Sequence, residues 1–112
     1  MLKGAGYKTA VIGKWGIGHP IPLDDPQRKG FDLSYGYLNM WHAHNCFPEF
    51  LYRNGVKEEL TGNKLALAED GTNPWADMPE GTGVARMDAR KQYAPDLFEK
   101  EALKFISDNK KN

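Results

Sequence analysis

Apolar positions along this chain fall into three blocks of different rhythm. The first is Thr9-Ala10-Val11-Ile12, a short run ending in β-branched residues and followed by Gly13-Lys14-Trp15-Gly16-Ile17-Gly18. An apolar run over residues 8–12 without alternation predicts a strand of a parallel sheet, buried on both faces. Residues 1–7 read as the tail of a helix, with Gly4 or Gly6 in the left-handed terminating position. A helix tail without its body leads us to expect that the chain begins inside a larger domain. The second block, residues 30–52, is rich in aromatic side chains and leads into Phe50-Leu51-Tyr52-Arg53-Asn54-Gly55-Val56-Lys57. Asn-Gly between short apolar segments predicts a two-residue hairpin turn, because both positions tolerate positive φ.

The third block predicts a helix that starts near Pro95, with Asp96 and Glu99 where the dipole favours acids. Phe98, Ala102, Phe105 and Ile106 follow i, i+4, i+7, i+8 spacing, a stripe made to face a core, and Lys110 and Lys111 close the C-terminal end. No further strand follows for that stripe to cover. Residues 16–30 are turn material, dense in Gly, Pro and Asp. Residues 61–92 show no period and are broken by Gly71, Pro74, Pro79, Gly81 and Gly83, which predicts a long loop-rich surface insertion.

Composition narrows the function classes. The 112 residues suit one domain, and 40% hydrophobic with 27% charged residues fits a globular chain. Fifteen basic residues balance fifteen acidic ones, so no global field recruits nucleic acid or an acidic membrane, and neither is expected as a partner. No apolar run is long enough to span a bilayer, and residues 1–6 do not have the pattern of a secretion signal. A single cysteine, Cys46, excludes an internal disulfide. His19, His42 and His44 have no cysteine or carboxylate at zinc-like spacing, and the glycines after residue 13 fit no nucleotide fingerprint. The aromatic residues suit a core or interface, although they could also stack on sugar rings or bases.

The candidate chemistry centres on Lys14. A lysine between glycines at the end of a buried strand is costly unless paired, and the placement suits anion binding. A lysine at a strand end that simply reaches solvent is the competing structural explanation.

Read together, several runs resemble the sulfatase family, formylglycine-dependent hydrolases of the alkaline phosphatase superfamily. They are Leu2-Lys3-Gly4-Ala5-Gly6-Tyr7 through Gly13-Lys14-Trp15-Gly16-Ile17-Gly18-His19-Pro20, then Gly30-Phe31-Asp32, Tyr35-Gly36-Tyr37, Ala43-His44-Asn45, Pro48 to Gly55, and Tyr93-Ala94-Pro95-Asp96-Leu97-Phe98 leading into Glu101 to Ile106. The resemblance implies an α/β fold, here a partial alkaline phosphatase-like sandwich. It would comprise one core strand, a hairpin, the insertion and a C-terminal amphipathic helix, with residues 1–112 forming part of a catalytic domain. It further implies hydrolysis of aryl or carbohydrate sulfate esters by a nucleophile made from cysteine or serine, with calcium in the intact protein and none bound by this chain alone. The parent would be periplasmic or secreted. Lys14 matches the family lysine that contacts the sulfate group, and is the catalytic and substrate-binding candidate.

The departures define the remaining expectations. Gly16 stands where many relatives carry a histidine, and His44 is the candidate to sit near the substrate in its place; a histidine hydrogen-bonded within the aromatic stretch is the structural alternative. Cys46-Phe47-Pro48 imitates the start of the maturation motif but has Phe50 where arginine is expected, so Cys46 is expected to be a small packed residue. Asp24-Asp25 lies in a Pro-rich turn and does not make a calcium shell. No metal-ligand residues are assigned. The isolated chain is expected to be inactive, and aggregation-prone or partly disordered. The other classes considered are a small non-catalytic binding or interaction module, and a phosphatase or phosphodiesterase of the same superfamily.

Overall fold

The computed structural model describes residues 3–15 and 26–110. A 3-10 turn, Lys3–Ala5, ends at Gly6 with φ 91°, the left-handed stop expected there. Six strands follow, β1 (Ala10–Lys14), β2 (Leu33–Tyr37), β3 (Phe50–Arg53), β4 (Val56–Glu59), β5 (Asn63–Leu65) and β6 (Ala85–Arg90), then helix α1 (Ala94–Asn109). One sheet has the order β1-β2-β3-β4, and β5 and β6 form a separate ribbon. β1 runs parallel to β2, while β2/β3 and β3/β4 are antiparallel, so the sheet is mixed.

β1 is in place but is not the buried core strand that its composition predicts. It is an edge of the sheet among the described residues, half-buried along its length with Lys14 exposed. The buried central strand is β2, inside the aromatic block, where no strand is expected. Its side chains alternate: Tyr35 and Tyr37 turn to α1, with Phe98 edge-on to both at 5.9 and 5.7 Å, and Gly36 falls between them. Tyr35, Tyr37, Leu51, Leu60 and Ala94 form the core, with Ile12, Ala43, Leu97 and Phe98 packed against it.

The glycines of the β1–β2 pair have a structural reason. Gly13 stands opposite Gly36, with φ values of 117° and 143°. A Cβ on Gly36 would lie 2.0 Å from the Gly13 carbonyl oxygen. Here the glycine lets two strands approach each other. The start of the pair is clamped by Asp32, whose carboxylate accepts from the Thr9 N–H at 2.8 Å, while the Asp32 and Leu33 N–H groups donate to the Thr9 carbonyl. The Gly30-Phe31-Asp32 run thus fixes strand register.

The hairpin is as expected: Asn54 (φ 53°) and Gly55 (φ 80°) join β3 to β4. The insertion over residues 61–92 differs from expectation, because β5 and β6 pair within it. Arg86, Met87 and Asp88 are all exposed, so no alternation marks the ribbon; main-chain pairing and the buried side chains of Asn63 and Ala85 hold it. Asn63, 1% exposed, donates to the carbonyls of Pro48 and Gln92 and accepts from the N–H groups of Lys91 and Gln92, at 2.7 to 2.9 Å.

α1 begins with Pro95 in its first turn, and the Ala94 N–H donates to the Cys46 carbonyl at 2.8 Å. The helix lies on β1 and β2, so its stripe does have a sheet to cover. Phe98, Ala102 and Phe105 are partly buried as expected, joined by Ala94, Leu97 and Glu101. Ile106 is 63% exposed: the covered face follows i, i+3, i+4, i+7, i+8 from Ala94, which turns Ile106 outward. Arg53 ties α1 to the sheet by a two-pronged pair with Glu101, at 2.6 and 3.1 Å, with its guanidinium over Tyr35. Lys110 follows the helix, whereas Lys111, Gly16, Gly18, His19 and Asp24-Asp25 lie outside the described residues.

Candidate functional site

Lys14 is the last residue of β1 and stands in register with Tyr37, the last residue of β2. The Trp15 N–H donates to the Tyr37 carbonyl at 2.9 Å, carrying the pairing one residue further. Trp15 then meets Phe31 edge-on at 5.8 Å. The backbone under Lys14 is therefore held on both sides while its side chain is exposed, with no ion pair or hydrogen bond to it among the described residues. Ligands of α/β sheets gather outside the carboxyl ends of parallel strands, and Lys14 stands at such an end.

The chain leaving β2 reaches His44 from that same end. Residues 42–44 form a 3-10 turn, in which the exposed His44 ring lies 6.3 Å from the Trp41 ring. No hydrogen bond joins His44 to Lys14 among the described residues, so the fold brings the two candidates to one end of the sheet without pairing them. His44 lines a cleft of about 450 Å³ with Trp41, Trp75 and Val84. A neighbouring cavity of about 370 Å³ is lined by Asn45, Glu49, Asn73, Trp75 and Glu80.

Cys46 is exposed rather than packed. Its main chain does the structural work, accepting from Ala94, and that fixes the backbone while leaving the thiol outside. Among the described residues no group of three or more His, Cys, Asp or Glu could hold a metal ion. No helix among them is long and apolar enough to cross a membrane.

His42 is the residue that sequence spacing passed over. Its ring is fully buried between Phe50, 4.4 Å away, and Tyr37, 4.8 Å away. Gly81 covers it so closely that an added Cβ would lie 2.4 Å from the ring. Neither ring nitrogen has a hydrogen-bond partner among the described residues. Burial pushes its pKa down to about 4, against weaker pulls from the Phe50 backbone, which stops short of hydrogen-bond geometry, and from the Glu80 carboxylate. Glu80 is held ionised below its usual range by the Lys57 ammonium, and accepts from the Tyr52 hydroxyl at 3.2 Å. The only local sign of this arrangement is a histidine inside an aromatic run.

No family model matches the chain. A stretch of 39 residues, 35% of the chain, is 46% identical to the N-acetylgalactosamine-6-sulfatase of Sus scrofa. The likeness covers 7% of that protein's length, so what it carries is a short, partial similarity to a sulfatase.

Proposed function

We propose that this chain is part of a sulfatase, a hydrolase of aryl or carbohydrate sulfate esters, in which Lys14 contacts the sulfate group. The observation that carries the reading is the 39-residue likeness to a sulfatase. An exposed lysine at the end of a parallel strand pair, its ammonium unpaired among the described residues, is consistent with it. A fixed cation at a sulfate oxygen offsets negative charge as it moves to the leaving oxygen, and is most useful when its backbone cannot shift. The Gly13–Gly36 approach and the Trp15–Tyr37 hydrogen bond supply that rigidity.

His44 is assigned the position near the substrate left vacant by Gly16, at the same end of the sheet. The described residues do not supply a calcium shell, and none of the chemistry assigned to this chain runs through that ion. The nucleophile likewise lies elsewhere in the proposed enzyme, so the isolated chain is expected not to release nitrophenol from nitrophenyl sulfate.

Two measurements test the proposal. The coding sequence upstream of residue 1 is expected to encode a Cys/Ser-x-Pro/Ala-x-Arg motif. In the complete enzyme, Lys14→Ala is expected to lower kcat by about 10²–10³. Full turnover of the Lys14→Ala enzyme would remove Lys14 from the site, and an upstream stretch with no such motif would remove the sulfatase reading.

A further inference from the structure

The clefts of about 450 and 370 Å³ share one wall, because Trp75, Met78 and Thr82 line both. Each has the volume of a small-molecule site, and side by side they make a groove across the loop before β6 and the turn after β2. We propose that this groove binds a neutral glycan chain, with sugar rings stacked on Trp75 and Trp41 and their hydroxyls held by Glu49, Asn45 and Asn73.

Three observations favour that occupant. The first is the aromatic platform. Trp41 is 49% exposed with His44 beside it, and Trp75 is seated against Gly83, where an added Cβ would stand 2.9 Å from its Cε3. An indole fixed on backbone offers a flat apolar face at low entropic cost, suited to the C–H face of a pyranose.

The second is unused hydrogen-bonding capacity. Asn45 and Asn73 commit their side-chain oxygens to the N–H groups of Phe47 and Trp75, at 3.0 and 2.8 Å. Both amide nitrogens, and the Glu49 carboxylate, have no partner among the described residues. Two donors and a carboxylate acceptor around one cavity match vicinal hydroxyls, which give and accept together.

The third is charge. Among the described residues no lysine or arginine lines either cavity, and Glu80 is already matched by Lys57. The residual charge is that of Glu49, which repels a sulfate or phosphate and accepts a hydroxyl. The groove therefore takes the uncharged part of a ligand.

The proposal does not rest on the sulfatase reading, and sulfate-free probes keep the two apart. The test titrates the full chain with cellohexaose, laminarihexaose and chitohexaose, following tryptophan fluorescence and the indole N–H signals in NMR. At least one glycan is expected to bind saturably and to shift the Trp75 and Trp41 indole signals, with Trp15 unmoved. Trp75→Ala should weaken that binding about tenfold or more, Trp75→Phe less, and Glu49→Gln several-fold, with circular dichroism checking that each variant keeps its fold. Trp15→Phe should bind as the parent does. Absence of saturable binding to all three glycans overturns the proposal, as does binding that Trp75→Ala and Glu49→Gln both leave intact.

Discussion

Two buried polar side chains, Asn63 and His42, show opposite solutions to the same problem. Asn63 satisfies its carboxamide with four main-chain partners, so its burial ties β5 to Pro48 and to the segment that follows β6. His42 satisfies neither ring nitrogen, and its burial is stable only while the ring is neutral. Its pKa is held near 4 in the folded chain against an ordinary value of 6.5. Between those values the unfolded chain binds the extra proton, so stability rises with pH across the window and falls as pH drops from 6.5 toward 4. The full loss at the acid end amounts to roughly 3 kcal/mol. The facing charges set the margins: Glu80 favours the imidazolium, and Lys57 opposes it. Urea unfolding of the chain and of His42→Phe, each at pH 7 and pH 4.5, checks this. The variant should lose markedly less stability on acidification, and equal losses would show that His42 takes up its proton as readily in the folded chain as in the unfolded one. The carboxylates of Glu80 and Glu101 are shifted down by their cationic partners, so their contribution is lost lower in pH and does not mimic the effect.

At the scale of elements, the β1–β2 pair depends on the absence of a side chain. Gly36→Ala would drive a Cβ to 2.0 Å from the Gly13 carbonyl oxygen at a φ of 143°, adding backbone strain to a main-chain clash. The expected cost is about 3 kcal/mol or more, read as a lowered midpoint in thermal or urea unfolding. Gly71→Ala, at a φ of 86° with nothing within reach of its Cβ, carries the strain alone and should cost less. The same pair shows what the sequence could reveal. The Asn54-Gly55 turn and the start of α1 were legible because their signals are local: two positive φ angles and a proline in the first turn. The central position of β2 was not, since it is decided by β1 and β3 on either side and by Phe98 from far along the chain. Lys14 was legible as a motif, but the reason for its glycine neighbour was not, because Gly36 lies 23 residues further on. The groove was invisible for the same reason: its two walls come from segments with no common pattern.

At the scale of the whole molecule, the radius of gyration is 15.5 Å, with extents of 55 × 28 × 17 Å, against about 13 Å for a compact domain of this length. The elongation leaves a large surface for the core to stabilise. The two sheet edges are unlike. β4 carries Lys57, Glu58 and Glu59, charges that discourage pairing with another strand, whereas β1 offers Ala10, Val11 and Ile12. Leu103 and Ile106 add an apolar outer face on α1, 60% and 63% exposed. Both features predict concentration-dependent self-association of the isolated chain, measurable by sedimentation velocity. Leu103→Glu combined with Ile106→Glu should shift the distribution toward monomer, because charges on an exposed helix face cost little in the fold and oppose burial against a second copy. If the double variant associates as the parent does, the β1 edge carries the contact instead. A parent chain that sediments as a monomer at every concentration would show that neither surface is sticky enough to matter.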